Sequence, residues 1–453
     1  MGGPDKSAFA IRLARRPGFP YLGYMTAAPA SAVHPAITGR QVTAAVMGNA
    51  LEFYDFTTYT IFAVDIGKAF FPSHSAFASL MASLGTFGAG FLTRPVGALV
   101  IGAIADRIGR RPAMLLSFGL MGLAILGLSL TPSFTQIGLA APIIVVTLRL
   151  IQGFALGGEV GPATAFLIEA APLNKRGLLG SWQSASQSVS SLIGGAVGAI
   201  MAATLAPHLL EIYGWRAAFL IGAAVLPFGL IIRRSLPETL HRPEAATEAH
   251  PDSGGVLAHA PILIFGLASI LCFTTSTYVR LYMTTYATTT LHMQAAAAYG
   301  ASVVNGAAGV VFTLLGGWLS DKYGRKPLMI IPLVAYLIVI YPAFYLMVRN
   351  HDAITLWTAT GLISALGSMS TGAALIVLAE GLHKGLRSTG MGTVYAVAVA
   401  LFGGITQPLI AYVIHVTGNA MAPAFYLMAT TVVGITAMVM VRETAPHLAA
   451  ARA

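Results

Sequence analysis

Twelve runs of about twenty or more mostly apolar residues constrain this chain more than any other feature, because a helix needs about 20 such residues to cross the ~30 Å hydrocarbon core of a bilayer. They lie near 40–66, 78–104, 112–131, 139–170, 177–205, 215–235, 259–289, 296–319, 327–348, 353–380, 387–416 and 421–441, with charged or Pro/Gly-rich breaks between them. A soluble chain of 453 residues would make about three domains. Such domains carry roughly 25% charged residues to face water. Here only 9% are charged and 56% are hydrophobic. The expected fold is therefore an all-α integral membrane protein with twelve transmembrane helices. The high hydrophobicity also excludes a disordered chain. Cys272, the only cysteine, can form neither an internal disulfide nor a thiolate metal cage.

The longest internal polar stretch, 237–258, divides the spans into two sets of six. The domain organisation read from this is a basic disordered tail (1–39), a six-helix bundle (40–236), a linker (237–258), a second bundle (259–442) and a short tail (443–453). The first tail has no apolar core with a cleavage site, so no signal peptide is expected, and Met25 is an alternative start. With the N-terminus placed in the cytoplasm, 20 of the 26 Lys and Arg residues fall on the cytoplasmic side. Lys68, Arg216 and Arg349 fall outside, and Arg94, Arg149 and Arg280 lie within spans. The basic excess thus follows the positive-inside rule. It is assigned to a membrane face, and no nucleic-acid partner is expected.

An internal repeat supports the division. GAIADRIGRR (Gly102–Arg111) returns as GWLSDKYGRK (Gly317–Lys326), each after the second span of its half. Glu169 and Arg176 close span 4 at a spacing of seven, and Glu380 and Arg387 close span 10 in the same way. A weaker echo pairs PET (Pro237–Thr239) with ETA (Glu443–Ala445). Two homologous six-helix halves are a common plan for secondary transporters, with the substrate site near the midplane between them.

The paired loop motif and the Arg149, Gln152, Gly153 pattern of span 4 resemble the major facilitator superfamily. Within it, NALEFYDF, RPVG, RLIQGFALGGE, RGLLGSWQSASQ and GWRAAFLIG resemble the metabolite:proton symporters. SWQSASQ and the Thr/Tyr-rich span 7 are most similar to the citrate and tricarballylate carriers. The resemblance covers residues ~38–444 and implies proton-coupled import of an organic acid, a di- or tricarboxylate of the citrate kind, by alternating access. 2-Oxoglutarate, shikimate or another aromatic acid, and betaine-type osmolytes are the alternatives the family includes. It also implies a monomer in a bacterial inner membrane with both termini cytoplasmic, and no cofactor beyond the coupling proton.

Ionisable groups within hydrocarbon cost on the order of 2.5–3.5 kcal/mol on insertion scales, so each is a functional candidate. Glu52, Asp55 and Tyr59 share one face of span 1, and Arg149, Gln152 and Glu159 share one face of span 4. If those faces meet, Arg149 pairs with Asp55 or Glu52, either as a static ion pair or as the proton-coupling site. The resemblance favours coupling through Asp55 and Arg149. Glu159 is a further candidate, although its flanking glycines also suit close helix packing. Arg94 lies twelve residues, ~18 Å of helix, before Asp106. That places it near the midplane, either to grip a carboxylate with its forked donors or to partner Glu52 or Glu159. In span 7, Tyr278 and Tyr282 stand on a phenolic stripe interrupted by Arg280. Arg280 departs from the neutral residue usual in the tricarboxylate carriers, and either contacts a polyanion or snorkels outward. Asn49, Gln152, Gln183 and Gln187 are candidates for substrate contact or for interhelical hydrogen bonds. A cavity holding several arginines suits an anion.

The loop motif is read as a cytoplasmic gate as well as a topology signal. Asp106, Arg107, Gly109, Arg110, Arg111, Glu169 and Arg176 form it in the first half. Asp321, Lys322, Gly324, Arg325, Lys326, Glu380 and Arg387 form it in the second. The proposed charge pairs would form in one conformation and separate in the other. No HExxH, GxSxG or CxxC pattern occurs, so an enzyme is not expected.

Overall fold

The computed structural model describes residues 39–108, 110–157, 167, 171–234, 260–381, 395–440, 443 and 445. The linker (237–258), almost all of the 1–39 tail and the end of the 443–453 tail fall outside that set. So do Gly109, Glu159, Glu169 and Arg387, and the side chains of Glu52, Asp106, Arg110, Arg111 and Glu380.

The described chain is helical and follows the twelve spans. Span 1 is Gly39–Ile61 continued by Ala63–Phe70, span 2 is Ala76–Leu92 continued by Arg94–Arg107, and span 3 is Arg110–Leu130. Span 4 is Ala140–Gly157, span 5 Arg176–Thr204 and span 6 Trp215–Arg234. Spans 7 to 10 are Ala260–Thr289, Ala295–Tyr323, Arg325–Asn350 and Ala353–Gly381. Span 11 runs over 395–417 through a π-helical turn at Val399–Gly403, and span 12 is Ala422–Met440. Among the described residues, eight helices meet the length and hydropathy needed to cross a bilayer unaided. The outward side chains are large and apolar, including Leu99, Leu123, Ile143, Ile200, Ile331 and Ile338. Such a coat is excluded from water and suited to lipid.

Two breaks shape the interior. Phe62, with φ −101° and ψ 20°, interrupts span 1. Thr93 interrupts span 2 just before Arg94-Pro95, and its hydroxyl donates to Leu150 O of span 4 at 2.7 Å. Beside this break, glycines let spans 2 and 4 nearly touch. A Cβ at Gly153 would collide with Gly90 O, and one at Gly157 with Arg94 O. Only residues without a side chain permit that crossing, and it carries Arg94 and Arg149 into the same buried layer.

The two halves meet along equivalent elements. Spans 5 and 8 pack through Gly195 against Ser302, Gly306 against Leu192, and Gly177 against Gly317. Spans 2 and 11 pack through Gly88 against Gly404. By the repeat, span 2 corresponds to span 8 and span 5 to span 11, so one contact is the pseudo-symmetric image of the other. The first glycine of the second motif copy, Gly317, lies close to Gly177 O and Ser181 Oγ of span 5. At Gly102, a Cβ would meet nothing within 4 Å among the described residues. Gly324 adopts φ 100° between spans 8 and 9, a conformation that favours glycine.

Candidate functional site

The helical spacing of span 1 places Asp55 opposite the polar face of span 4. Arg149 NH1 donates to Asp55 Oδ2 at 2.9 Å, and both side chains are almost fully buried, at 1% and 0% exposed. NH1 also donates to Gln152 Oε1 one turn along span 4. The guanidinium lies 3.8 Å over the Tyr59 ring, whose hydroxyl donates to Ser83 O at 3.1 Å. The pair is not a closed fork, because Asp55 Oδ1 and Arg149 Nε and NH2 have no hydrogen-bond partner among the described residues. A buried pair with spare lone pairs and donors is costly as a purely structural device. Those same groups are free to take a proton or a second anion.

Arg94 begins the second segment of span 2 and is only 2% exposed. Its guanidinium carbon lies 4.1 Å from the Phe91 ring centre and 4.9 Å from that of Phe56. Among the described residues, none of its three nitrogens makes a hydrogen bond of good geometry. The Tyr278 and Tyr395 hydroxyls lie within its electrostatic reach. Phe56 also faces Arg149 at 5.6 Å, so one ring stands between the two guanidinium groups.

That ring also forms part of the wall of a cavity of about 80 Å³ between the halves. One water needs ~10–15 Å³ by this measure, so the cavity admits several waters or a small solute. Spans 1 and 5 contribute Phe56, Thr57, Gln187 and Ser191 to its wall. Spans 7, 8, 10 and 11 contribute Tyr278, Arg280, Asn305, Ser368, Thr371 and Tyr395. The lining is hydroxyl-rich and, among the described residues, carries one cation, Arg280.

The structure brings some of the expected residues together and leaves others elsewhere. Arg280, Tyr278 and Gln187 line the cavity, and Arg94 lies behind Phe56 and Tyr278. Asn49 and Gln183 face each other instead: Gln183 Nε2 donates to Asn49 Oδ1 at 3.0 Å, and Asn49 Nδ2 donates to Ser186 Oγ at 2.6 Å. They join spans 1 and 5 away from the cavity wall. Gln152 is engaged by Arg149, and Tyr282 is buried outside the lining. Tyr395 and Phe56 carry no polar pattern that a sequence scan selects, although Phe56 falls on the Glu52–Tyr59 face by helical spacing.

At the motif end, Asp321 accepts from the Gly177 and Leu178 N–H groups at 2.7 and 2.9 Å. The acid of the second half thereby caps the start of span 5 in the first half, where unpaired N–H groups and the helix dipole favour an anion. Arg325 pairs with Asp321 at 2.7 Å within its own half and also donates to Ser320 Oγ at 2.9 Å. Glu443 accepts from the Arg325 and Lys326 N–H groups, both at 2.9 Å, and so caps span 9. This role was legible only as the weak PET/ETA echo. Lys326 Nζ donates to Val439 O at 2.6 Å. Lys322 turns away, its ammonium 3.9 Å over the Trp318 ring. In the first half, Arg107 is exposed and Arg176 is half-buried.

Comparison with known proteins adds an independent line. Residues 45–395 match the family model described as Major Facilitator Superfamily. A citrate-proton symporter of Salmonella typhi is 34% identical, over 89% of this chain and 94% of its own. A proline/betaine transporter of Escherichia coli (strain K12) is 29% identical, over 90% of this chain and 84% of its own. The crystal structure of a D-xylose-proton symporter superposes with a TM-score of 0.69 at 19% identity, covering 89% of this chain and 98% of that one.

Proposed function

Because the chain belongs to the Major Facilitator Superfamily, we propose that it is a secondary active transporter that imports an organic acid, a di- or tricarboxylate of the citrate kind, together with protons. One observation carries the reading: two buried guanidinium groups without a carboxylate partner among the described residues, Arg94 and Arg280, flank a hydroxyl-lined cavity between the halves. Buried charge demands a counter-ion, and an anionic substrate supplies one.

In this reading Asp55 carries the coupling proton. With Asp55 ionised, Arg149 is held by it. When Asp55 takes a proton from the outer side, Arg149 is released and the layer becomes more positive. The carboxylate substrate then binds more strongly, drawn to Arg94 and Arg280. Closure of the halves over the loaded cavity, opening toward the motif end and loss of the proton there complete the cycle. Neither proton nor substrate favours the transition alone, which is the requirement for coupling. Asp321 at the start of span 5 holds one end shut and releases it in the opposite state. No cofactor takes part.

The basic motif end is assigned to the cytoplasm of a bacterial inner membrane, with both termini there. The working unit is a monomer of two six-helix bundles, 40–236 and 259–442. An osmolyte substrate of the betaine type is the second reading, prompted by the proline/betaine relative. A quaternary ammonium is usually held on aromatic faces, and here Arg94 and Arg149 already lie against Phe91, Phe56 and Tyr59. That occupancy favours the acid.

The test is uptake into proteoliposomes of citrate, tricarballylate, 2-oxoglutarate, shikimate and betaine, with and without an acid outer side. Acidification should accelerate uptake of a di- or tricarboxylate. If no organic acid responds to the gradient, proton symport of such acids is wrong; gradient-driven uptake of betaine alone would establish the second reading.

A further inference from the structure

Arg280 stands on the cavity wall, and its surroundings contain three residues to which the sequence assigns no role. NH1 donates to Ser276 Oγ at 2.8 Å, one turn back in span 7. Ser276 Oγ in turn lies 2.8 Å from the Tyr336 hydroxyl of span 9, which is fully buried. Span 10 supplies the space. A Cβ at Gly367 would lie 2.5 Å from Arg280 NH1, 3.2 Å from Ser276 Oγ and 3.4 Å from the Tyr336 ring. A side chain at 367 would therefore displace Arg280 NH1 from its place against Ser276, while crowding Ser276 and touching the Tyr336 ring. NH2 reaches Thr277 Oγ1 only at 3.4 Å, too long to anchor it firmly. No acidic side chain among the described residues pairs with the guanidinium. An arginine left to itself in a span extends toward the water interface. This one is turned inward by a hydroxyl relay and housed in a notch that a single glycine leaves open.

We infer that Ser276, Tyr336 and Gly367 form a positioning set. It fixes Arg280 as the reader of a second ionised carboxylate, so the carrier selects substrates with two or more carboxylates over monocarboxylates and zwitterions. The inference rests on the organic-acid reading above and deepens it. Arg94, against the aromatic cluster, takes one carboxylate from the side of the first half. Arg280 takes another from the second half, at a distance set by the relay. A monocarboxylate satisfies Arg94 alone and leaves Arg280 buried without a counter-ion, the condition that makes polar sites reject incomplete ligands.

The experiment compares KM and Vmax for tricarballylate, succinate and a monocarboxylate in the full-length protein in proteoliposomes. Substrate-induced thermal stabilisation of the detergent-solubilised protein serves as a readout independent of transport. Arg280→Gln should raise KM for tricarballylate by about 100-fold while improving monocarboxylate uptake, because no buried charge is then left without a counter-ion, and should remove the tricarballylate-induced stabilisation. Ser276→Ala and Tyr336→Phe, which retain shape, should raise polycarboxylate KM by about tenfold and threefold at nearly constant Vmax, as expected for loosening a hydrogen bond to a charged group. Gly367→Ala should resemble Arg280→Gln. If Gly367→Ala does not fold, the two conservative variants still decide. Equal losses for mono- and polycarboxylates, lower Vmax at constant KM, or unchanged selectivity in Ser276→Ala and Tyr336→Phe overturn the positioning set. A wild-type protein that neither transports nor is stabilised by any carboxylate overturns the organic-acid reading as well, and that outcome is distinct from wild-type uptake with unchanged variant selectivity.

Discussion

The two halves of the molecule treat their buried arginines differently. In the first half, Arg149 is paired with Asp55 at 2.9 Å and rests on Tyr59. In the second, Arg280 bonds to the hydroxyls of Ser276 and Thr277 beside Gly367, with no acidic partner among the described residues. A paired cation is neutral as a unit until its partner is protonated, so its effective charge depends on the proton. An unpaired cation keeps its charge throughout and must find an anion in whatever fills the cavity. In the proposed function, the contrast separates the two tasks of a symporter: the pair is assigned to the coupling ion and Arg280 to the cargo. Phe56, between Arg149 and Arg94 and in the cavity wall, joins the two regions.

Removing the titratable member of the pair should have the largest effect. Asp55→Asn keeps the shape and a hydrogen-bond acceptor for Arg149 but can no longer take and release a proton. Gradient-driven accumulation should fall at least about 100-fold, while citrate counterflow between equilibrated compartments persists. Leaving a buried charge unpaired costs about 3–5 kcal/mol. The variant should therefore also melt at a lower temperature, and the loss should be smaller when a carboxylate substrate is present to neutralise Arg149. Active accumulation at wild-type level would show that the paired half does not carry the proton.

Arg94 offers a sharper version of the same contrast, because it has no acidic partner among the described residues yet sits in the half that contains the pair. Arg94→Lys keeps the charge and loses both the planar stack on Phe91 and Phe56 and the forked donors. KM for the carboxylate should rise about 30-fold, roughly 2 kcal/mol, with the pH dependence of uptake unchanged. A shifted pH profile at unchanged KM would move Arg94 from cargo binding to the proton site.

Much of this was legible in the residues before any coordinates. Apolar runs mark spans because hydrocarbon demands length, and the Asp106/Asp321 motif copies mark the repeat. Asp55 and Arg149 emerge from helical spacing because charge in a span is rare and the 3.6-residue period fixes which face it takes. Other features depend on how one helix is rotated against another, which no single helix encodes. Asn49 and Gln183 look like cavity residues by type but satisfy each other across spans 1 and 5. Tyr395 and Tyr336 look like ordinary interfacial tyrosines, and Gly367 like one of many glycines. The partner of Asp321 in the other half escaped for another reason: the donors are the backbone N–H groups of Gly177 and Leu178, which carry no side-chain signature.

The paired and unpaired contrast recurs in miniature at the motif end, where it sets the two smallest expected effects. Asp321 ties spans 5 and 8 by two hydrogen bonds to an anion, each worth about 1.5–3 kcal/mol with much of that recovered by water when they open. Asp321→Asn should shift the balance of open and closed states about tenfold. That shift should read as faster hydrogen exchange at the Gly177 and Leu178 amides and a Vmax changed by severalfold at constant KM. Protection at those amides equal to wild type would remove Asp321 from the gate. Lys322, next in sequence, is exposed, and its ammonium lies over the ring of Trp318. A cation–π contact at an exposed site contributes about 0.5–1 kcal/mol, and this one lies within a single helix, so it favours neither state. Lys322→Ala should therefore leave KM, Vmax and amide protection within about twofold of wild type. A Lys322→Ala protein as impaired as Asp321→Asn would mean that the motif acts through its summed positive charge, and that pairing, the basis of the contrast between the halves, is not what distinguishes its residues.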